Sequence, residues 1–129
     1  MSQQAQRIAD YLAHILTAIS RIESYISSTD EISFLRETIV QDAVIRNLEI
    51  IGEACRNIER ADASFARAHP ELPLSTAYEM RNALTQGYFK IDFAIVWRTI
   101  KIDLPPLREN AATLLKTLPA RTGGGKPTP

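Results

Sequence analysis

The residues best suited to chemistry crowd into one stretch, Arg81-Asn82-Ala83-Leu84-Thr85-Gln86-Gly87-Tyr88-Phe89. Arginine presents a planar guanidinium that stays protonated and pairs with phosphate oxygens through parallel hydrogen bonds. Asn82 beside it adds an amide that both donates and accepts. Tyr88 contributes an aromatic hydroxyl. Gln86 can only hydrogen-bond: its amide has no accessible protonation change, so it serves neither as general acid nor as general base. The stretch reads as a grip for an anionic oxygen with no group of its own to move a proton.

Spacing constrains how these side chains can converge. On a straight helix Arg81 and Tyr88, seven residues apart, share a face, while Arg81 and Gln86, five apart, point roughly 140° away from each other. Either the backbone relaxes before Gly87, or two copies of the segment face each other. Ordinary roles also exist: Arg81 pairing with Glu79 or Asp92, Asn82 bonding within its helix end, and Tyr88 with Phe89 anchoring a loop. A second group lies upstream. Glu49 and Glu53 interrupt an apolar run at i,i+4 spacing, and Gly52 allows another backbone to come close. The carboxylates read either as a surface row or as support for Arg81, with Arg46 one turn before Glu49 and able to pair with it. Cys55, among apolar neighbours, reads as a buried small hydrophobe. His14 and His69 lie apart from the stretch, and neither is recruited for proton transfer. Two histidines and one cysteine supply too few ligands for a dedicated transition-metal site.

The elements that must position these groups are all helical. Ile8, Leu12, Ile15, Ile19, Ile22 and Ile26 step by three and four, which predicts a first helix over residues 3–27. Ser27-Ser28-Thr29-Asp30 breaks it, and a short turn follows at Ile32-Ser33-Phe34-Leu35. Thr38 with Gln41 has the form of a capping box opening a second helix, whose Val44, Leu48, Ile51, Cys55 and Ile58 form one stripe. Asp62 to Pro73 is a connector with one turn of helix before His69-Pro70. Thr76 with Glu79 is a second capping box, opening the helix that carries Arg81, and Gly87 suits its end. Asp92 caps the next helix, and Pro105-Pro106 separates it from a last one bearing Leu107, Leu114 and Leu115. The expected fold is an all-α, up-and-down bundle of four main helices plus a short fifth, with a domain over residues 1–119 and a mobile tail over 120–129.

Composition narrows the setting. No apolar run reaches the roughly 18 residues of a membrane span, and the N-terminus lacks the apolar core of a signal peptide, so the expectation is a cytoplasmic protein with no membrane partner. The zero net charge conceals an asymmetry: residues 1–80 carry 7 basic and 12 acidic side chains, residues 81–129 carry 8 and 3. Arg81, Lys90, Arg98 and Lys101 thus fall in a locally basic half able to attract a polyanion.

The Arg81–Tyr88 stretch resembles the Arg-Asn-x-x-x-His-x-Tyr signature of HEPN-domain ribonucleases, specifically the small HepT-like toxins encoded beside a nucleotidyltransferase antitoxin. Asp42–Ala54, Phe89–Trp97 and Asp103–Leu107 resemble the flanking signatures of the same family, so the resemblance covers residues 7–118. Gln86 stands where that family carries its catalytic histidine. The resemblance implies a metal-independent endoribonuclease with no cofactor, its cleft formed at a homodimer interface. Arg81 and the residue-86 position would be catalytic and Asn82 supporting, with Glu49 and Glu53 as candidates to hold the arginine and Arg46 as a supporting candidate that pairs with Glu49. It also implies that a minimal nucleotidyltransferase AMPylates Tyr88, setting phosphate and bulk beside Arg81. Loss of one acid–base group costs on the order of 10²–10⁴ in rate, which predicts an inactive or weakened enzyme. The competing readings are a non-catalytic helical dimer that binds RNA, a nucleotide or the antitoxin, and a purely structural dimerisation domain.

Overall fold

The computed structural model describes residues 3–86 and 91–118, with only the backbone of residues 75, 76 and 78. Seven helices follow in order: α1 (Gln3–Ile26), α2 (Glu31–Phe34), α3 (Thr38–Ala61), α4 (Ala63–Ala68), α5 (Leu74–Gln86), α6 (Phe93–Ile102) and α7 (Leu104–Thr117). No strand occurs among the described residues, and the fold is the all-α bundle that the helical periodicities require. The two short turns expected before Thr38 and before His69 are the helices α2 and α4.

The apolar stripes do what their spacing demands. Ile8, Leu12, Ile15, Ile19 and Ile22 of α1 and Val44, Ile51, Cys55 and Ile58 of α3 are all buried. Each large aliphatic side chain withdrawn from water contributes about 1.5–3 kcal/mol, and this drives the long α1–α3 pairing. The polar contact from the Gln4 side chain to the Ala61 carbonyl shows that the two helices run antiparallel. α5 packs on the other flank of α3, α7 packs on α1, and α6 returns along α7. Phe34 of α2 plugs the end of the core, with Trp97 and Phe93 of α6 at ring-centroid distances of 5.3 and 6.3 Å. Arg108 of α7 meets Glu23 of α1 in an ion pair.

Helix ends separate what local sequence dictates from what it only suggests. Asp92 caps α6 by accepting from the Ala94 and Ile95 amides. Asp30 and Asp62 cap α2 and α4 in the same way. Neither Thr38 nor Thr76 stands at the cap of its helix. α3 begins with Glu37 at its cap and no side-chain cap bond, while Gln41 is buried and donates to the Phe34 carbonyl at 2.9 Å. That carbonyl closes α2's last turn with only a long 3.4 Å bond from the Glu37 amide, so the buried Gln41 amide completes it and is held there more effectively than at an exposed cap. α5 starts two residues earlier than its supposed box, because the Pro73 carbonyl already accepts from the Ala77 amide at 3.0 Å and buried Leu74 belongs to the helix. Between α6 and α7 the chain turns on Asp103, whose amide closes one helix on Thr99 and whose carbonyl opens the next to Leu107. Proline in the first turn of α7 needs no amide partner there. The proposed terminator Gly87 and the tail at 120–129 lie outside the described residues.

Candidate active site

Arg81 is placed by a close crossing of α5 over α3. Gly52 sits at the contact: a Cβ built there would lie 2.3 Å from Arg81 Cβ and 2.9 Å from the Ala77 carbonyl oxygen. Only hydrogen at this position allows the two helices to come so near. The Arg81 stem therefore lies across the α3 backbone. Its guanidinium reaches Glu53 through Nη2 at 3.2 Å, while Nη1 donates to Asn82 Oδ1 at 2.8 Å. Arg81 thus pairs across the helix crossing, and the partner is Glu53 of α3 rather than the Glu79 or Asp92 considered from sequence proximity. Thr85, one turn along α5, donates to the Arg81 carbonyl at 2.9 Å and lies 3.4 Å from Glu49 Oε2.

These side chains edge an open groove of about 430 Å³, lined by His14, Arg46, Glu49, Glu53, Arg81 and Thr85 together with Ile50, Ala54 and Asn57. The outward face of α3 forms its floor, α5 one bank and α1 the other. The antiparallel register fixed by Gln4 and Ala61 brings His14 of α1 level with the Ile50–Glu53 turn, the same level at which Arg81 crosses from the opposite side. Arg81 keeps about a third of its side chain exposed and Glu53 about half, so solvent and ligands reach the ion pair. The groove combines two guanidinium-bearing residues, two carboxylates and an imidazole, a set able to hold an anion and exchange protons with it.

Gln86 is exposed, ends α5 and is not among the groove's lining residues. Because α5 stays helical through Gln86, the backbone does not relax to bring that side chain round to Arg81. Within this chain the two residues face different directions. Tyr88 lies outside the described residues. His14 was passed over on sequence grounds; no periodicity signals that α1 and α5 flank the same face of α3, since that depends on the tertiary register.

Cys55 differs from all of these. It is buried, and burial followed by the nearby Glu59 charge pushes its thiol up to about 12. That is the behaviour of a core residue and not of a nucleophile. A second cavity, of about 310 Å³ and largely apolar, lies between α3, α5 and the α6–α7 corner, lined by Leu48, Ile51, Met80 and Leu107 among others. No helix among the described residues is long and apolar enough to cross a membrane.

A family model described as "Ribonuclease HepT-like" matches residues 15–114. The chain is 41% identical over 107 residues to the "Probable ribonuclease HepT" of Thermococcus cleftensis, covering 83% of this chain and 94% of that protein. It is 37% identical over 108 residues to a Methanocaldococcus jannaschii protein described as "Gamma-glutamylcyclotransferase and putative RNase", covering 84% of this chain and 47% of that one. The chain thus spans about half the length of that relative. A "Putative RNase" of Caldanaerobacter subterraneus is 29% identical over 106 residues, covering 82% and 92% of the two chains. No solved structure gives a significant match.

Proposed function

Because the chain belongs to the HepT-like ribonuclease family, we propose that it is a metal-independent endoribonuclease toxin of the cytoplasm in which Arg81 grips the scissile phosphate. The observation that carries this reading is the placement of Arg81. A glycine contact fixes its stem, an ion pair and Asn82 orient its fork, and its guanidinium borders a groove open to a polyanion. Cleavage requires a proton to leave the attacking 2′-hydroxyl and another to reach the departing 5′-oxygen, while positive charge stabilises the phosphorane oxygens. Arg81 supplies the charge, and Asn82 holds the fork in plane.

Gln86 occupies the position of the family's histidine and carries no proton, so the chain is a weakened form of the enzyme. The divergent directions of Arg81 and Gln86 on one regular helix support a homodimer, in which residue 86 of one protomer approaches the Arg81 groove of the other. The regulatory partner is a minimal nucleotidyltransferase antitoxin that transfers AMP to Tyr88. The added phosphates then compete for Arg81 and fill the cleft.

The decisive experiment is Gln86→His, assayed on single-stranded RNA without divalent metal. Cleavage is expected to rise by a factor on the order of 10²–10⁴. Equal rates for the two forms would overturn the assignment of position 86. One observation favours a second reading, a non-catalytic helical dimer that binds RNA, a nucleotide or the antitoxin: Glu53 already neutralises Arg81 within the protomer. That reading predicts RNA binding lost in Arg81→Ala and no cleavage by Gln86→His.

A further inference from the structure

We propose that His14, on the α1 bank, and Glu53, on the α3 floor beside Arg81, carry the proton transfers of this chain's own residual RNA cleavage; this rests on the ribonuclease reading above. Cleavage by the ribose 2′-hydroxyl is an in-line displacement. Attacking and leaving oxygens lie on opposite sides of phosphorus, so the base and the acid must approach from opposite sides of a phosphate held between them. Glu53 is anchored to Arg81 at 3.2 Å, which puts its carboxylate beside any phosphate the guanidinium holds. His14 stands on the α1 bank at the same level, exposed, with its ring edge-on to Tyr11 at 6.2 Å. Gln86 of the same chain is not among the residues lining this groove, so His14 and Glu53 supply from within one chain the proton transfers that position 86 lacks.

The ribose 2′-hydroxyl gives its proton to the Glu53 carboxylate as its oxygen bonds to phosphorus. The bond from phosphorus to the 5′-oxygen breaks, and the protonated imidazole of His14 gives that oxygen its proton. The products are a 2′,3′-cyclic phosphate and a free 5′-hydroxyl, with Glu53 left protonated and His14 neutral. No oxidant, reductant or metal enters the balance. Arg81 and Arg46 hold the non-bridging oxygens. The charged and titratable groups facing His14 are Asp10 and Tyr11 on its own helix, Arg46, Glu49 and Glu53 on α3, and Arg81 on α5.

The test measures cleavage of a short RNA, with an all-deoxy strand as the control that lacks the nucleophile. The unaltered protein is expected to cut slowly and leave cyclic phosphate. His14→Gln is expected to lower that rate by a factor on the order of 10²–10⁴ and to remove the alkaline limb of the pH profile, where the general acid loses its proton. Free imidazole is expected to restore part of the rate to His14→Ala, which a merely structural histidine would not allow. Glu53→Gln should remove the acid limb. An unchanged rate and profile in His14→Gln would overturn the inference and leave the ribonuclease reading standing. So would an unaltered protein that cuts nothing while Gln86→His cuts. If neither form cleaves RNA, the ribonuclease reading itself falls. Because His14 is exposed, folding of its variants is checked simply by circular dichroism and melting.

Discussion

At the scale of single residues, the question is whether Arg81 is available, since Glu53 and Asn82 already hold it. Magnitudes decide in favour of availability. An ion pair with both partners this accessible is worth at most about 1 kcal/mol, whereas a charge-assisted hydrogen bond to phosphate contributes about 1.5–3 kcal/mol. Glu53 therefore orients the guanidinium without locking it away. Arg81→Ala is expected to weaken RNA binding by roughly tenfold or more, and Arg81→Lys to recover only part, because a point charge lacks the paired donors; fluorescence anisotropy at fixed salt measures both. The crossing of Glu53 and Arg81 was partly legible in the sequence. A carboxylate pair at i,i+4 with an intervening glycine marks where another backbone must come close. Its choice of Arg81 over the sequence-near Glu79 and Asp92, and the arrival of His14, were not legible. They depend on which helix flanks which, a property of packing and not of any local run.

At the scale of elements, stripes were legible, but of the aspartate caps at Asp30, Asp62 and Asp92 only the last was. Asp92 takes the first amides of α6 directly, from Ala94 and Ile95. Thr38 competed with the buried demand of the Phe34 carbonyl for Gln41, and lost. The aspartate caps also set a pH dependence. Asp30 and Asp62 lie below the usual carboxylate range, chiefly through the backbone amides of Ser33 and Phe65 respectively. A folded-state pKa below the unfolded one stabilises the fold at pH above the unfolded value, near 3.9, and that stability disappears as pH falls through the depressed values. Asp62→Asn keeps an N-cap acceptor but cannot titrate. Its melting temperature is expected to vary less than that of the unaltered protein as pH falls from about 5 to about 2, the range over which a depressed carboxylate protonates. The α3–α5 crossing gives a sharper expectation. Gly52→Ala puts a methyl 2.3 Å from Arg81 Cβ and 2.9 Å from a backbone oxygen, neither of which is a flexible tip. The helices must separate, at a cost of about 1–3 kcal/mol, visible as a fall in melting temperature.

At the scale of the whole molecule, one core spans α1, α3, α5, α6 and α7, and a single thiol sits within it. With its thiol pushed up to about 12, Cys55 is expected to resist a thiol reagent at neutral pH until the bundle opens. Its labelling rate should therefore track global unfolding across a denaturant series, and rapid labelling of the native protein would contradict the burial. The dimer expectation belongs here as well: light scattering should give twice the 14.4 kDa of the chain. The close helix contact at Gly52 finally bears on how this protein would look to a geneticist. Every missense change in that codon adds a Cβ, so a selection for loss of activity should return Gly52 substitutions beside those at Arg81. Ranked by phenotype alone, the glycine would pass for a member of the active site; melting curves would reveal that it is the hinge pin on which the arginine is hung.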